Sequence, residues 1–242
     1  MECYEQRIQQ ARLLFEDSNV VVNVLNNVND ELLELFLINF YAFGINMMQP
    51  VEDWLHRAGR HCEVIGLKDI GRALKLHARR EAKCYLTIAN DARLLITFWN
   101  RRHKDLQIDI EKLFSRPLPS GVACYQKLHE DIIISTVPYT QIAVSYEIEL
   151  LFTNWNLKLV NYCASKFGKR ITARLNAIQD HVKRHLRHVV VTRRELGKFL
   201  TSYPGYLNTL VQAGAQAIVI YQKYLEDCLT SAQNFDRTNT YS

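Results

Sequence analysis

What most limits the folds open to this chain is where its helix breakers fall. It has 9 glycines and 5 prolines in 242 residues, roughly half their usual combined share. The stretches 72–116, 139–167 and 169–196 contain neither. Sandwiches, barrels and disordered tails are rich in turn residues, so this scarcity counts against all three. Unbroken stretches of that length suit long helices, or one long helix plus a short one. The expectation is an all-α protein: a single helical bundle of about seven main helices over 1–234, with a frayed tail at 235–242.

Periodicity and caps place helices at about 4–16, 30–48, 51–64, 68–102, 106–114, 122–135, 139–153 with a continuation to Gly168, 170–201 and 206–232. Asn29-Asp30 offers an N-cap to the second of these, and Pro50 follows its end. The run Leu32–Met48 is the most membrane-like, yet it contains Glu34, Asn39 and Asn46. It falls short of about 18 clean apolar residues, so it reads as a buried helix and not a membrane span. The formal charge of +5 is a mild excess. Basic residues alternate with acids, no recognition motif is present, and the pairs Arg79–Arg80, Arg101–Arg102 and Arg193–Arg194 read as solvated faces, so nucleic acid is not expected as a partner. The six cysteines are scattered with no C-x-x-C pair, and the polar start MECYEQRIQQ is no signal peptide. Both point to reduced thiols and a cytoplasmic protein. The apolar first helices offer a face for a homodimer.

The chemistry concentrates in two stripes. His181, His185 and His188 are spaced i, i+4, i+7, which puts them at about 0°, 40° and −20° around a helix, in line with Ile178. Imidazoles in a row on a buried face need hydrogen bonds or a metal. His77, Glu81 and Cys84 repeat that spacing on another helix, and all three are ligand types. Glu147 lies on an apolar stripe with Ala143, Leu150 and Leu151, where a carboxylate needs a cation or a proton. Glu149 is the competing choice and reads as solvated. His129-Glu130-Asp131 reads as structural. Bundles build dinuclear sites from inward-facing Glu and His on several helices. Iron or manganese suits such a mixed set better than structural zinc, whose finger spacing is absent.

These residues resemble the haem-oxygenase-like dimetal oxidases and oxygenases over roughly 65–230. That family carries Glu-x-x-His on one core helix, a lone Glu on a later one, and His-x-x-x-Asp-x-x-His on a third. Glu81 matches the first Glu, Glu147 the lone Glu, and His181 and His188 the outer histidines. The run Leu128-His-Glu-Asp131 also resembles one found in relatives ahead of the lone Glu. Cys84 stands where the family has His, and His185 where it has Asp. His185 keeps ligand character. The sixth ligand or its support then falls to Cys84, as a thiolate, or to His77.

The resemblance implies two Fe(II) ions, with manganese as the substitute, and O2 as co-substrate. It implies oxidation of a small amino-acid-like molecule in natural-product biosynthesis, an aromatic, tryptophan-derived one converted to a nitrile being the specific form. Tyr85, Tyr146 and Phe152, with Phe98 and Trp99, are candidates for an aromatic pocket. Two other readings compete. One is a metal-free thiaminase-type hydrolase with Cys84 as nucleophile. The other is a non-catalytic helical binding protein.

Overall fold

A computed structural model describes residues 1–168 and 173–235, with side chains for all of these except 176–187. Helices run over Glu2–Glu16 (α1), Asn19–Asn26 (α2), Asp30–Met48 (α3), Val51–Val64 (α4), Lys68–Glu81 (α5) and Cys84–Arg102 (α6). They continue over Ile110–Phe114 (α7), Ser120–Ile134 (α8), Gln141–Phe167 (α9), Asn176–Ser202 (α10) and Leu207–Gln233 (α11). Short 3₁₀ turns at Pro138–Thr140 and Pro204–Tyr206 lead into α9 and α11. There is no strand among the described residues.

The apolar α3 begins where the Asn29 side chain accepts the Leu32 amide proton at 2.8 Å. It packs against α6, α8 and α11, so the membrane-like run is a core helix surrounded by protein. The α4–α5 pair is joined through Gly66, which turns the chain at φ +88. Its two helices approach so closely that a Cβ on Gly59 would lie 2.8 Å from the Gly71 carbonyl oxygen, and one on Gly71 2.6 Å from that of Gly59. Side chains would force the helices apart, so this glycine pair sets where α5 lies. The long α9 packs against both α10 and α11. From Gln141 to Glu149 every residue of it is buried.

Three features depart from the sequence reading. The helix expected over 68–102 is two helices, because Ala82 turns extended (ψ 124) and Lys83 is left-handed at φ 62. The halves have different partners, α5 lying on α4 and α6 on α3, so the chain must change direction between them. A left-handed residue bearing a Cβ costs about 1–2 kcal/mol, which the packing on either side outweighs. Second, α2 was not anticipated, and 139–153 with its continuation is the one helix α9. Third, Phe235, placed in the tail, is buried edge-on against Trp99 at 5.9 Å; the tail beyond it, 236–242, lies outside the described residues.

Candidate metal centre

The bundle brings together side chains from α5, α9 and α10. His77 and Glu81 are one turn apart on α5 and share a face. Glu149 comes from α9 and His188 from α10. One ligand atom from each of the four lies within 4.8 Å of every other. His77 Nε2 is 2.5 Å from Glu149 Oε1 and 3.5 Å from Glu81 Oε1, and His188 Nδ1 is 3.1 Å from that same Glu81 oxygen. His77, Glu81 and Glu149 are buried, and the His188 side chain is 15% exposed. Thr192, one turn beyond His188, donates to the His188 carbonyl at 2.8 Å and contacts Glu149 Oε2 at 3.1 Å, linking α10 to α9 at the cluster.

The electrostatics favour a cation. Two carboxylates sit out of water beside two imidazoles, and the described ion pairs of both acids are with histidine. For His77, burial alone would lower the pKa, but the charge of Glu149 and the short contacts to Glu149 and Glu81 outweigh it and push it up to about 10. Despite that proximity, Glu149 Oε1 and His77 Nδ1 have no hydrogen-bond partner. Ligand atoms around one ion with bonds of about 2.1 Å sit about 3.0–3.5 Å apart. The four ligand atoms lie close enough to converge on a transition-metal ion with small side-chain adjustments, and two imidazoles with two carboxylates are a donor set that non-haem iron uses.

Of the residues expected to ligate, Glu81 and His188 are in this cluster, with His77, which had been the supporting candidate. Glu147 is not. It is fully buried on the other side of α9, where Arg12 donates to its two oxygens at 2.8 Å each and Tyr4 at 3.0 Å. Glu149, read as solvated, is the buried carboxylate that faces the cluster. The physical reason is that α9 is covered on every side from Gln141 to Glu149, so both acids are inside and the apolar stripe does not discriminate between them. A signal was present: Gln141, Ser145, Glu149 and Thr153 form a polar ladder at four-residue spacing within an apolar helix.

Cys84 is also outside the cluster, because the break at Ala82–Lys83 takes it off the α5 face. Its thiol is 3.7 Å from the Arg80 carbonyl oxygen, to which it donates. His181 and His185 lie in α10 among the residues whose side chains are not described. Of the aromatic candidates, Phe152 lines a small cavity beside the cluster. Tyr146 instead donates to Glu5 at 2.7 Å, and Tyr85 packs half-buried against the core. Arg102 is exposed, as its reading as a solvated face expects, and its guanidinium also pairs with the buried Glu34.

Among the described residues, two spaces adjoin the cluster. A groove of about 550 Å³ between α5 and α10 has His77 and Thr192 in its lining. Lys68, Arg72, Arg80, Arg194 and Lys198 also line it, against two acids, Asp69 and Glu195. The second is the small cavity of about 30 Å³, lined by His77, Glu81 and Glu149 as well as Phe152. Tyr125 lines it too; burial, and then the charges of Glu81 and Glu149, hold its hydroxyl well above the usual phenol range.

No family model matches the chain, and no curated protein matches its sequence. Solved structures do match in shape. One is a domain of unknown function with a heme oxygenase-like fold from Shewanella denitrificans, with a TM-score of 0.70 and 14% identity, covering 97% of this chain and 94% of that one. Another is a TenA homolog from Pseudomonas syringae pv. tomato, with a TM-score of 0.68 and 14% identity, covering 95% of this chain and 92% of that one. The chain has the all-α, haem-oxygenase-like fold.

Proposed function

We propose that this protein is an O2-dependent non-haem iron oxidase of the dimetal kind, acting on a small amino-acid-like substrate. The observation that carries the reading is the buried cluster of His77, Glu81, Glu149 and His188. These four would hold one ion, and the α10 positions His181 and His185 are the candidates for completing the second. Iron bound there would supply activation of O2. The rest is the work of the chain. Burial keeps bulk water from the cluster, and Thr192 fixes the orientation of Glu149.

The groove supports the substrate class. Its volume suits a small molecule, and its excess of arginine and lysine favours one that carries a carboxylate. An aromatic, tryptophan-derived amino acid oxidised to a nitrile in a biosynthetic pathway is the specific form of this proposal. The test is anaerobic loading with Fe(II), metal counting, and mixing with O2 in the presence of candidate amino acids. Uptake approaching two irons and a transient visible band are expected. A protein that takes up no iron, and whose Glu149→Ala variant behaves as wild type, would rule the reading out.

A second reading keeps the fold and dispenses with metal, using Cys84 as the nucleophile of a thiaminase-type hydrolase. It needs a base beside the thiol; the described contact of the thiol is the Arg80 backbone carbonyl at 3.7 Å. Loss of activity on alkylating Cys84 in metal-free protein would favour it.

A further inference from the structure

The small cavity beside the cluster contains hydrogen-bonding capacity that the protein leaves unused. His129 and Gln141 both line it; His129 is 2% exposed and Gln141 is fully buried. The His129 ring is held flat against Trp54, with centroids 4.3 Å apart and planes at 5°, and Tyr125 meets it edge-on at 4.5 Å. One hydrogen bond joins the pair, between His129 Nδ1 and Gln141 Oε1 at 3.0 Å. It leaves His129 Nε2 and Gln141 Nε2 buried with no partner.

The chemistry of what is left over is defined. A ring that donates from Nδ1 has a bare acceptor at Nε2, and the amide nitrogen still has protons to donate. Turning the amide over exchanges the roles but still leaves one donor and one acceptor. Each unsatisfied group costs about 1–3 kcal/mol, so a binding role is the natural reason to keep two of them side by side. Among the described residues, the charged groups lining the cavity are the carboxylates of Glu81 and Glu149 together with His77, with no lysine or arginine. Burial pushes His129 down to about 4, so at neutral pH the ring brings no positive charge. An anion would therefore face two carboxylates, and a pure donor would leave the Gln141 amide unmet. The volume of about 30 Å³ admits only a few heavy atoms.

We propose that His129 and Gln141 form a polar subsite beside the metal cluster for a small neutral group that both donates and accepts a hydrogen bond. Its occupant is a hydroxyl or primary carboxamide of the substrate, or a water molecule of the same hydrogen-bonding character. The substrate arm rests on the iron-oxidase reading, whereas the subsite itself does not.

The experiment uses the metal-free 242-residue chain labelled with ¹⁵N-histidine, the His129 ring being assigned by loss of its signals in His129→Gln. Formamide and formate are the probes, one a neutral donor and acceptor and the other an anion of nearly the same size. Formamide should shift the His129 Nε2 resonance saturably, with about tenfold preference over formate, and Gln141→Met should weaken that response about tenfold. A long-lived water seen by cross-relaxation to the Gln141 amide protons, with no formamide response, identifies water as the occupant. Equal binding of formate, or neither a water nor a formamide signal, overturns the proposal, and that comparison needs only the wild-type chain. Repeating the formamide titration with L-tryptophanamide present in Fe(II)-loaded protein tests the substrate arm, which competition supports and its absence removes. Because the first measurements contain no iron, their failure leaves the iron reading intact, and failed iron uptake leaves the subsite intact.

Discussion

Glu147 and Glu149 stand two residues apart on α9 and serve opposite sides of it, the first held by Arg12 and Tyr4 and the second facing His77 across 2.5 Å. Successive positions turn by about 100°, so two residues span about 200°, which separates the pair completely. Both are buried, but in different surroundings, one a structural ion pair with arginine and the other a cluster of two carboxylates and two histidines.

This division gives a direct test. Glu149→Ala should lower Fe(II) affinity by more than about 100-fold, beyond what loss of an outer partner usually costs, and Thr192→Val by about tenfold. Glu147→Gln should leave iron uptake unchanged. Equilibrium titration of the metal in the three variants measures all of this. An effect of Glu147→Gln equal to that of Glu149→Ala would mean that the two carboxylates do not divide the work.

The Arg12–Glu147 pair is structural, so its loss should appear in stability. Arg12→Met strands a carboxylate that is fully buried and should cost about 3 kcal/mol in urea unfolding. The double variant Arg12→Met/Glu147→Leu should recover most of that loss, since it removes the charge along with its partner. Recovery is the informative outcome; a double variant as unstable as the single one would show that packing, and not charge, dominates at that site.

Gly71 is a second structural position. A methyl group there meets the Gly59 carbonyl oxygen at 2.6 Å, and backbone cannot move aside as a side chain can. Gly71→Ala should destabilise by about 1–3 kcal/mol, a fall of about 2–4 °C in Tm per kcal/mol for a chain of this size. Because α5 also carries His77 and Glu81, the variant should bind Fe(II) more weakly too. Thermal scans and metal titration on one preparation check both effects.

Stability should also fall in mild acid. Burial holds His129 down to about 4, whereas an unfolded histidine titrates near 6.5. Between those values the unfolded chain binds the extra proton, so this contribution is complete above about pH 6.5 and is lost as pH falls toward 4. The loss amounts to about 3 kcal/mol. Urea unfolding across that window, compared with His129→Gln, isolates it: the variant should lack this part of the slope.

Much of the fold could be read from the chain, and the reasons are local. Missing breakers and the Asn29 cap define long helices whatever they pack against. Glu81 and His188 could be found because each lies on a helix with a distinct inward stripe. Glu149 was misread because the first nine residues of α9, Gln141 to Glu149, have no outward face, so periodicity had nothing to contrast there. The break after Glu81 was invisible because it uses neither glycine nor proline. It arises from the separate packing of α5 on α4 and α6 on α3, which becomes apparent only in three dimensions. His129 was set aside as structural, and its neighbour Glu130 is indeed bound by Arg57 and Trp54. The unused nitrogen of its ring is a property of the assembled cavity.

The cluster draws its four groups from three separate regions of the chain. An ion held by them is a cross-link, and like a disulfide it ties together segments that the unfolded chain would keep far apart. At a free concentration one hundred times its dissociation constant, such an ion adds about 2.7 kcal/mol to the folded state. Folding and loading then share one equilibrium. Chelation would loosen α5, α9 and α10 together, and iron supply would set how long the protein survives as well as whether it can react.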